Sequence, residues 1–273
     1  MKKFLTILIA ALMSVMCAFG LTACDEEETA KGKTLYVYTN SGFAPYEYLS
    51  KDGAVVGVDI EIMKEIGEVL GYNIEVKDID FEQILNEVAS NKNAVGAAGM
   101  TKKESRDLVA LASISYATSV QYVIVPKNTF DTDDLVGGKL SLSKLSELSN
   151  KKVGTQSGTT GYYMVDDAIQ LEDGDLYEKG MSCFTYDNAI VASQDIGSQI
   201  GAVVIDKLPA MSICAANTEL ECFELDAEPE SYVLYFNKEA TELVEKVNKV
   251  LQTMIDNGVI NYFTIKHSGG ITA

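Results

Sequence analysis

Arg106 is the only arginine in a chain of 273 residues that otherwise uses lysine for its cationic side chains. A guanidinium is planar, stays charged at any working pH and offers a fixed fork of donors, which fits a carboxylate better than a lysine ammonium does. Before it stand Thr101 and the small-residue segment Ala97-Ala98-Gly99, which closes an apolar strand. Small residues at a strand end leave backbone N–H and C=O groups open to a ligand. The segment therefore suggests a carboxylate-binding site, while a surface ion pair is the alternative use of this arginine.

Two further strand ends carry groups that suit a charged ligand. The segment from Gly154 to Gly161 is rich in glycine, serine and threonine and joins a predicted strand to a predicted helix, whose free N–H groups can bind an anion. It lacks the Gly-x-x-x-x-Gly-Lys-Ser/Thr pattern of a P-loop, so no nucleotide is implied, and a plain turn is the alternative. Asp206 follows an apolar strand directly, where capping the next helix would already explain it.

The amino terminus has the features of an export signal. Residues 1–23 begin with Met-Lys-Lys and contain no charge after it. This pattern is typical of a secretory signal peptide, although an uncharged run of about 20 residues is also long enough for a membrane anchor. The next residue completes Leu-Thr-Ala-Cys, which looks like a bacterial lipobox and predicts cleavage before Cys24 and lipid on its sulfur. Residues 24–33 then form a lipidated tether, too charged to pack.

The charge balance excludes a nucleic-acid partner. Lysine and arginine together number 22 against 40 aspartates and glutamates, for a net charge of −18 at pH 7, and loss of the signal peptide with its two lysines makes this −20. Binding a phosphate backbone depends on clustered lysine and arginine, which this chain lacks. We interpret the acidity as that of a solvated exterior.

Metal sites and histidine-based catalysis are not predicted. After processing, the fold retains three cysteines, of which Cys214 and Cys222 could pair in an oxidising exterior, and the spacing leaves this open. A zinc site would need more ligands than these cysteines and the sole histidine, His267, which we expect in a C-terminal tail. No Gly-x-Ser-x-Gly motif and no Ser/His or Cys/His pair is visible. We therefore expect neither an enzyme nor a cofactor.

Alternating elements predict an α/β fold. We expect strands at residues 34–39, 74–76, 95–98, 119–125, 152–154, 183–184, 202–205 and 232–236, with a hairpin within 46–58. We expect helices from Asp59, which can cap the first one, to a stop at Gly71, at 81–90, from Thr159, from Leu208, and at 239–257. In such sheets, ligand groups gather at the strand ends.

The order of these elements predicts two domains, the first of them discontinuous. We assign residues 34–118 and 230–273 to the first domain and residues 119–229 to the second, with a crossing near each end of the second. A chain that crosses twice suits a hinged clamp.

These motifs, in this order, resemble the polar amino-acid binding proteins of ABC importers, whose pattern at the arginine reads roughly Gly-hydrophobic-Thr-x-x-x-x-Arg, here Gly99 to Arg106. The resemblance covers nearly the whole chain after the signal peptide. It implies a two-lobed periplasmic-binding-protein-like fold of type II, with discontinuous domains joined by two crossings at a hinge. It also implies an extracytoplasmic receptor, lipid-anchored to the bacterial membrane, that passes a free amino acid to an ABC permease.

The resemblance assigns the ligand's carboxylate to both domains. Arg106 takes it bidentately, helped by the hydroxyl and N–H of Thr101. Thr159 and Thr160, in the glycine-rich turn, form the half of the carboxylate site that belongs to the second domain.

The ammonium and the side chain of the ligand have their own partners in the resemblance. Gly99 offers its carbonyl to the ammonium, and Asp206 matches the aspartate that binds it. Phe43 matches the aromatic residue that lies over the ligand side chain, with Phe81 opposite it, although either ring could belong to the core.

Two departures from the family pattern bear on specificity. Relatives that hold cationic side chains often carry an acid at the position of Asn40, and Asn40 and Gln156 are both neutral amides. We therefore predict a neutral polar or modestly apolar amino acid as ligand, bound by a monomer. After Arg106 the family usually continues toward an acidic-Phe-Ser segment that is absent here, so we expect the hinge-side wall to differ from that of the family.

Two other functions remain as alternatives on this scaffold. One is an enzyme, because relatives of the fold include dehydratases, and a carboxylate acid/base pair would be its chemistry. The other is the ligand-sensing input domain of a signalling receptor, which would require a later apolar span or an attached cytoplasmic domain, and neither is visible in this chain.

Overall fold

The computed structural model describes residues 32–269, so the predicted signal peptide, Cys24 and most of the predicted tether lie outside the described residues. Within this range the chain forms two five-stranded mixed sheets, each with helices packed on it. The predicted two-lobed α/β fold is confirmed.

The first sheet is built around β1 (Thr34–Thr39), whose bounds agree with the prediction. Leu35, Val37 and Thr39 are fully buried, while the residues between them are half-buried, as the period of two in a strand requires. In spatial order the sheet contains β4 (Asn73–Asp78), β1, β5 (Ala94–Gly96), β16 (Tyr235–Asn237) and β6 (Ala110–Ala112). Both β4 and β5 run parallel to β1, and β16 runs antiparallel to its two neighbours.

The second sheet lies in the other lobe and has the same mixed character. In spatial order it contains β12 (Ser182–Tyr186), β11 (Lys152–Gln156), β13 (Ala202–Asp206), β8 (Gln121–Pro126) and β14 (Leu220–Glu224). The first three strands are parallel to one another, while β8 is antiparallel to both of its neighbours. The carboxyl ends of β11 and β13 therefore lie at the same edge, which brings the glycine-rich turn and Asp206 together.

Two short strands carry the chain between the sheets. They are β7 (Ala117–Ser119) on the way out and β15 (Glu230–Tyr232) on the way back, and they pair antiparallel as a ribbon. The predicted single return strand at 232–236 is thus two strands, β15 and β16, separated by two residues that belong to neither. Two small hairpins complete the strands: β2 (Tyr48–Leu49) with β3 (Val55–Val56), and β9 (Leu135–Val136) with β10 (Lys139–Leu140).

The helices of the first lobe bury one apolar face each. They are α1 (Val58–Leu70), α2 (Ile84–Ser90), α3 (Glu104–Asp107), α7 (Thr241–Asp256) and α8 (Val259–His267), with a 3-10 turn at Phe81–Gln83 before α2. On α1 the apolar residues Ile62, Met63 and Ile66 are fully buried on one face. Gly71 ends this helix in the left-handed region, at a φ of 79°, as predicted.

The helices of the second lobe flank its sheet. They are α4 (Thr160–Gln170), α5 (Ala189–Gln194) and α6 (Lys207–Ala216), with 3-10 turns at Thr132–Asp134 and Leu142–Glu147. Thr159 is the N-cap of α4, and its hydroxyl accepts a hydrogen bond from the N–H of Tyr162 at 3.2 Å. This cap fixes the point where the glycine-rich turn becomes helix.

Two local predictions in the first lobe are wrong. Asp59 does not cap α1: the N-cap is Gly57, and the Asp59 carboxylate is fully buried and accepts from the N–H of Gly99 instead. His267 does not lie in a tail, because it ends helix α8. Its Nδ1 is 3.0 Å from the hydroxyl of Tyr48, and burial lowers its pKa. The sequence around His267 lacks the long run of regularly spaced apolar residues that predicts α7. The helix α8 was therefore not predicted.

The described residues show no sign of a metal site or a disulfide. No group of histidine, cysteine and acidic residues within 32–269 could hold a metal ion. In the same range Cys183, Cys214 and Cys222 are free thiols, with the last two within hydrogen-bonding reach of each other. No helix of this part of the chain is long and apolar enough to cross a membrane.

Candidate functional site

A cavity lies in the cleft between the two lobes and encloses about 330 Å³ of empty space, counted out to its opening. All ten residues predicted for the site line it, and the sequence analysis missed two of its lining residues, Glu47 and Ala98. The full lining is Asn40, Phe43, Glu47, Phe81, Ala98, Gly99, Thr101, Arg106, Gln156, Thr159, Thr160 and Asp206.

Arg106 projects from α3 into this cavity and is only 7% exposed. Its Nη1 donates to the carbonyl of Thr101 at 2.9 Å, and its Nη2 reaches across the cleft to the carbonyl of Gly158 at 3.2 Å. The guanidinium carbon lies 5.3 Å from the centre of the Phe81 ring. Burial lowers the pKa of Arg106, yet no carboxylate among residues 32–269 forms an ion pair with it. The geometry therefore holds a buried cation with spare donors.

Asp206 faces the same cavity from the second lobe. It occupies the N-cap position of α6, but its side chain makes no capping hydrogen bond, so capping does not explain the carboxylate. Instead Oδ1 accepts from the hydroxyl of Tyr232 at 2.6 Å. Burial, together with the nearby Glu230 carboxylate, raises the pKa of Asp206 to about 7. A cation placed beside Asp206 would stabilise its ionised form.

The hydroxyls of the glycine-rich turn are engaged within the protein. Thr159 donates to the carbonyl of Gln156 at 2.8 Å while it caps α4. Thr160 donates to Glu230 Oε2 at 2.7 Å. Both residues line the cavity, so a ligand anion would have to share or replace these bonds.

Glu230 is a residue that the sequence analysis missed. It lies on the returning crossing strand β15, and its Oε2 accepts from the hydroxyls of Thr101 and Thr160, one from each lobe. Its Oε1 accepts from Gln121 Nε2 at 2.9 Å. Nothing in the acidic segment around it distinguishes this glutamate from its neighbours, because its partners are 70 to 129 residues away.

Gly99 follows β5 by three residues and adopts a conformation that needs glycine. Its φ is +53°, and a Cβ there would lie 2.6 Å from Cε1 of Phe43. Its N–H donates to Asp59 Oδ2 at 2.9 Å, and the hydroxyl of Tyr116 donates to the same carboxylate at 2.7 Å. Burial raises the pKa of Asp59 to about 6, with both hydrogen bonds opposing the rise. The buried Asp59 carboxylate therefore fixes the position of the Gly99 backbone relative to the Phe43 ring.

The two predicted amides meet across the cleft. Gln156 Nε2 donates to Asn40 Oδ1 at 2.8 Å, and Asn40 Nδ2 donates to the carbonyl of Ile79 at 2.8 Å. The amides thus form a second bridge between the lobes, beside the contact of Arg106 with Gly158.

The two predicted aromatic residues occupy different settings. Phe43 is nearly buried and packs among Tyr46 and Tyr232, with ring centroids 5.8 and 6.4 Å away. Phe81 is half-buried and lies against the guanidinium of Arg106. Both rings line the cavity, and Phe43 also belongs to the core, so the two uses weighed for it coexist.

Comparisons with known proteins agree with this arrangement. A family model described as bacterial extracellular solute-binding proteins, family 3, matches residues 35–269. The arginine-binding extracellular protein ArtP of Bacillus subtilis (strain 168) is 29% identical over 267 residues, which cover 94% of each chain.

Two solved structures share the fold at similar identity. The amino acid ABC transporter substrate-binding protein AbpA of Streptococcus pneumoniae, bound to L-arginine, superposes with a TM-score of 0.74 at 27% identity, over 87% of this chain and 95% of its own. An ancestral arginine-binding protein bound to glutamine gives a TM-score of 0.74 at 29% identity, over 87% and 98%.

Proposed function

The chain belongs to the bacterial extracellular solute-binding proteins, family 3, and we propose that it is a receptor that closes two lobes around one free α-amino acid. The observation that carries the proposal is the pair Arg106 and Asp206. Each is buried in the wall of one cleft, and neither forms an ion pair with another described residue. A buried charge without a partner costs on the order of several kcal/mol. The two ends of a zwitterion would supply both partners.

The carboxylate of the ligand is assigned to Arg106. A guanidinium has five N–H donors, and only two of its bonds to the protein are seen, so donors remain for a bidentate contact. Thr101, Thr159 and Thr160 surround the same volume and add hydroxyl or N–H donors.

The ammonium of the ligand is assigned to Asp206 and to the carbonyl of Gly99. Both residues line the cavity, and a cation there would offset the desolvation that raises the pKa of Asp206. Phe43 and Phe81 are assigned to the side chain of the ligand, which leaves Phe81 in contact with both the ligand and Arg106.

Closure is proposed to be a population shift. Bonds from Arg106 to Gly158 and from Gln156 to Asn40 join the lobes, and a ligand that bridges Arg106 and Asp206 would add to these contacts and favour the closed form. The hinge is assigned to the ribbon of β7 and β15, between domains at 34–118 with 230–273 and at 119–229.

The cellular setting is part of the proposal. We assign the chain to the outside of the bacterial membrane, held by lipid on Cys24, as a monomer that delivers its ligand to an ABC permease. The support is the lipobox-like sequence at residues 21–24 and the family match. The energy for transport must come from the permease complex, because the chain has no P-loop pattern.

Two residues of the cavity bear on the chemical class of the ligand's side chain. Asn40 and Gln156, the two neutral amides, support a neutral polar or modestly apolar ligand. The named relatives bind arginine, and one structure holds glutamine.

Calorimetry with purified protein tests the proposal. The protein is titrated with each common amino acid, and the bound ligand is then recovered and identified by mass spectrometry. We expect one molecule bound per chain and returned unchanged. Consumption of the ligand would instead support the enzymatic alternative, and no binding by any amino acid would refute the proposal.

A further inference from the structure

Glu47 is a buried acidic group of the cavity that the proposed roles leave without a partner. Glu47 is 1% exposed and lines the same cavity as Arg106 and Asp206. Its Oε2 has no hydrogen-bond partner among the described residues. Its backbone is fixed, because its carbonyl accepts from the N–H groups of Gly42 and Phe43 at 3.1 and 2.8 Å. The side chain is therefore held at the cavity by a tight turn.

The other carboxylates of this region already have hydrogen-bond donors or an assigned ligand group. Asp59 accepts from Gly99 and Tyr116, and Glu230 accepts from two threonines and a glutamine. Asp206 accepts from Tyr232 and is assigned to the ligand ammonium. Glu47 alone in this set has an oxygen with neither a donor nor an assigned ligand group.

The electrostatic surroundings of Glu47 are negative. Burial raises its pKa well above the ordinary value, and Asp59, Asp206 and Asp78 each raise it further. No lysine, arginine or histidine of residues 32–269 forms an ion pair with it. A positive charge beside it would remove the cost of ionising this carboxylate.

The charges of the cavity wall do not match a zwitterion. The lining carries one cation, Arg106, and two carboxylates, Asp206 and Glu47. An amino acid with a neutral side chain balances the first two and leaves the third. An amino acid with a cationic side chain balances all three.

On these grounds we infer that Glu47 is a specificity-determining contact that selects an amino acid whose side chain carries a positive charge. The inference rests on the proposed function, since it needs Arg106 and Asp206 to hold the two ends of the ligand. It differs from the neutral-ligand prediction made from Asn40 and Gln156. Those two amides bond to each other at 2.8 Å, which uses groups that a neutral polar side chain would need.

The test compares L-arginine with L-citrulline, which has nearly the same shape and no side-chain charge. Calorimetry is run on the unaltered protein, on Glu47→Gln and on a control, Glu82→Gln. Glu82 is exposed and lies beside Gly158 at the cleft, so this control removes a carboxylate at the surface only. We expect the unaltered protein to prefer arginine at least about tenfold, as one charge-assisted hydrogen bond predicts.

Glu47→Gln should bring the two affinities within about threefold of each other by weakening arginine, and Glu82→Gln should keep the preference. Glu47→Gln is nearly isosteric, and retained citrulline binding shows that the variant is folded. Titrations in buffers of different ionisation enthalpy should also detect proton release on arginine binding to the unaltered protein, because the cation ionises Glu47.

Three results would overturn the inference while leaving the proposed function in place. They are tighter binding of citrulline than arginine by the unaltered protein, an unchanged preference in Glu47→Gln (whether or not both affinities fall equally), and no proton release on arginine binding to the unaltered protein. Failure to bind either ligand or any other amino acid would count against the proposed function itself.

Discussion

The hydroxyl of Tyr232 donates to Asp206 at 2.6 Å and so connects the returning crossing strand to the acidic wall of the second lobe. This bond stabilises the ionised carboxylate, against the burial that raises its pKa to about 7. Ammonium binding needs that ionised form. The affinity for an amino acid should therefore decline as the pH falls through about 7.

Tyr232→Phe should move this decline to higher pH. Without the donor, the pKa of Asp206 rises further, so more of the carboxyl is protonated at neutral pH and binding weakens there. The measurement is the dissociation constant from pH 5.5 to 8.5 by calorimetry. Tyr186→Phe is the control, since it removes a tyrosine–aspartate bond that lies outside the cavity. Identical pH profiles for the two variants would refute the role of Tyr232.

Arg106→Lys should lower amino-acid affinity at least about tenfold without unfolding the protein, because an ammonium cannot reproduce the bidentate fork. Calorimetry gives the affinity and thermal denaturation the stability. Lys102→Arg is the matched control, because Lys102 is an exposed residue paired with Asp107. Unchanged affinity in Arg106→Lys would contradict the assignment of the ligand carboxylate.

Gly99→Ala should destabilise the protein more than Gly53→Ala does. Both glycines have positive φ values, +53° and +78°, so both variants carry backbone strain of about 1 kcal/mol. Only at Gly99 would the new Cβ meet another group, the Phe43 ring at 2.6 Å, while nothing lies within 4 Å at Gly53. Chemical denaturation measures the difference. Equal free energies of unfolding would show that the ring moves away without cost.

Glu230→Ala should open the ligand-free protein. The carboxylate receives donors from Thr101 in the first lobe and from Thr160 in the second, and charge-assisted hydrogen bonds contribute about 1.5–3 kcal/mol each. Small-angle scattering should report a larger radius of gyration than for the unaltered protein. Glu228→Ala, at an exposed neighbour, should leave the radius unchanged. A radius equal to that of this control would argue against the bridge.

Inhibition of lipoprotein signal peptidase with a globomycin-type compound should leave a longer precursor in the cell that makes this protein. The predicted cut before Cys24 removes 23 residues, a difference that mass spectrometry resolves easily. A mature protein that begins at an unlipidated Cys24 would contradict the anchor.

Local pattern was sufficient for much of the fold. The run at residues 34–39 predicted β1 to the residue, and the apolar spacing with the stop at Gly71 predicted α1 closely. Capping chemistry was less reliable: Thr159 caps its helix, while Asp59 has the right residue type at the right place and serves Gly99 instead. When distant segments bury a side chain, its neighbours along the chain do not indicate that burial.

In the candidate site, too, some residues could be predicted from the sequence and others could not. The ten residues taken from motif positions share one cavity, and their roles in binding stay predictions. Glu47 and Glu230 were missed because their importance arises from what surrounds them. One has no donor for its buried oxygen, and the other has three donors from segments far apart in the sequence.

The ribbon of β7 and β15 has a mechanical consequence. Glu230 and Tyr232 are two residues apart on β15, and between them they contact Thr101, Thr160 and Asp206. If this ribbon is the hinge, as proposed, its bending would also displace the residues that contact the walls of the cleft. Release of the ligand and opening of the lobes would in that case be one coupled movement, controlled from the hinge.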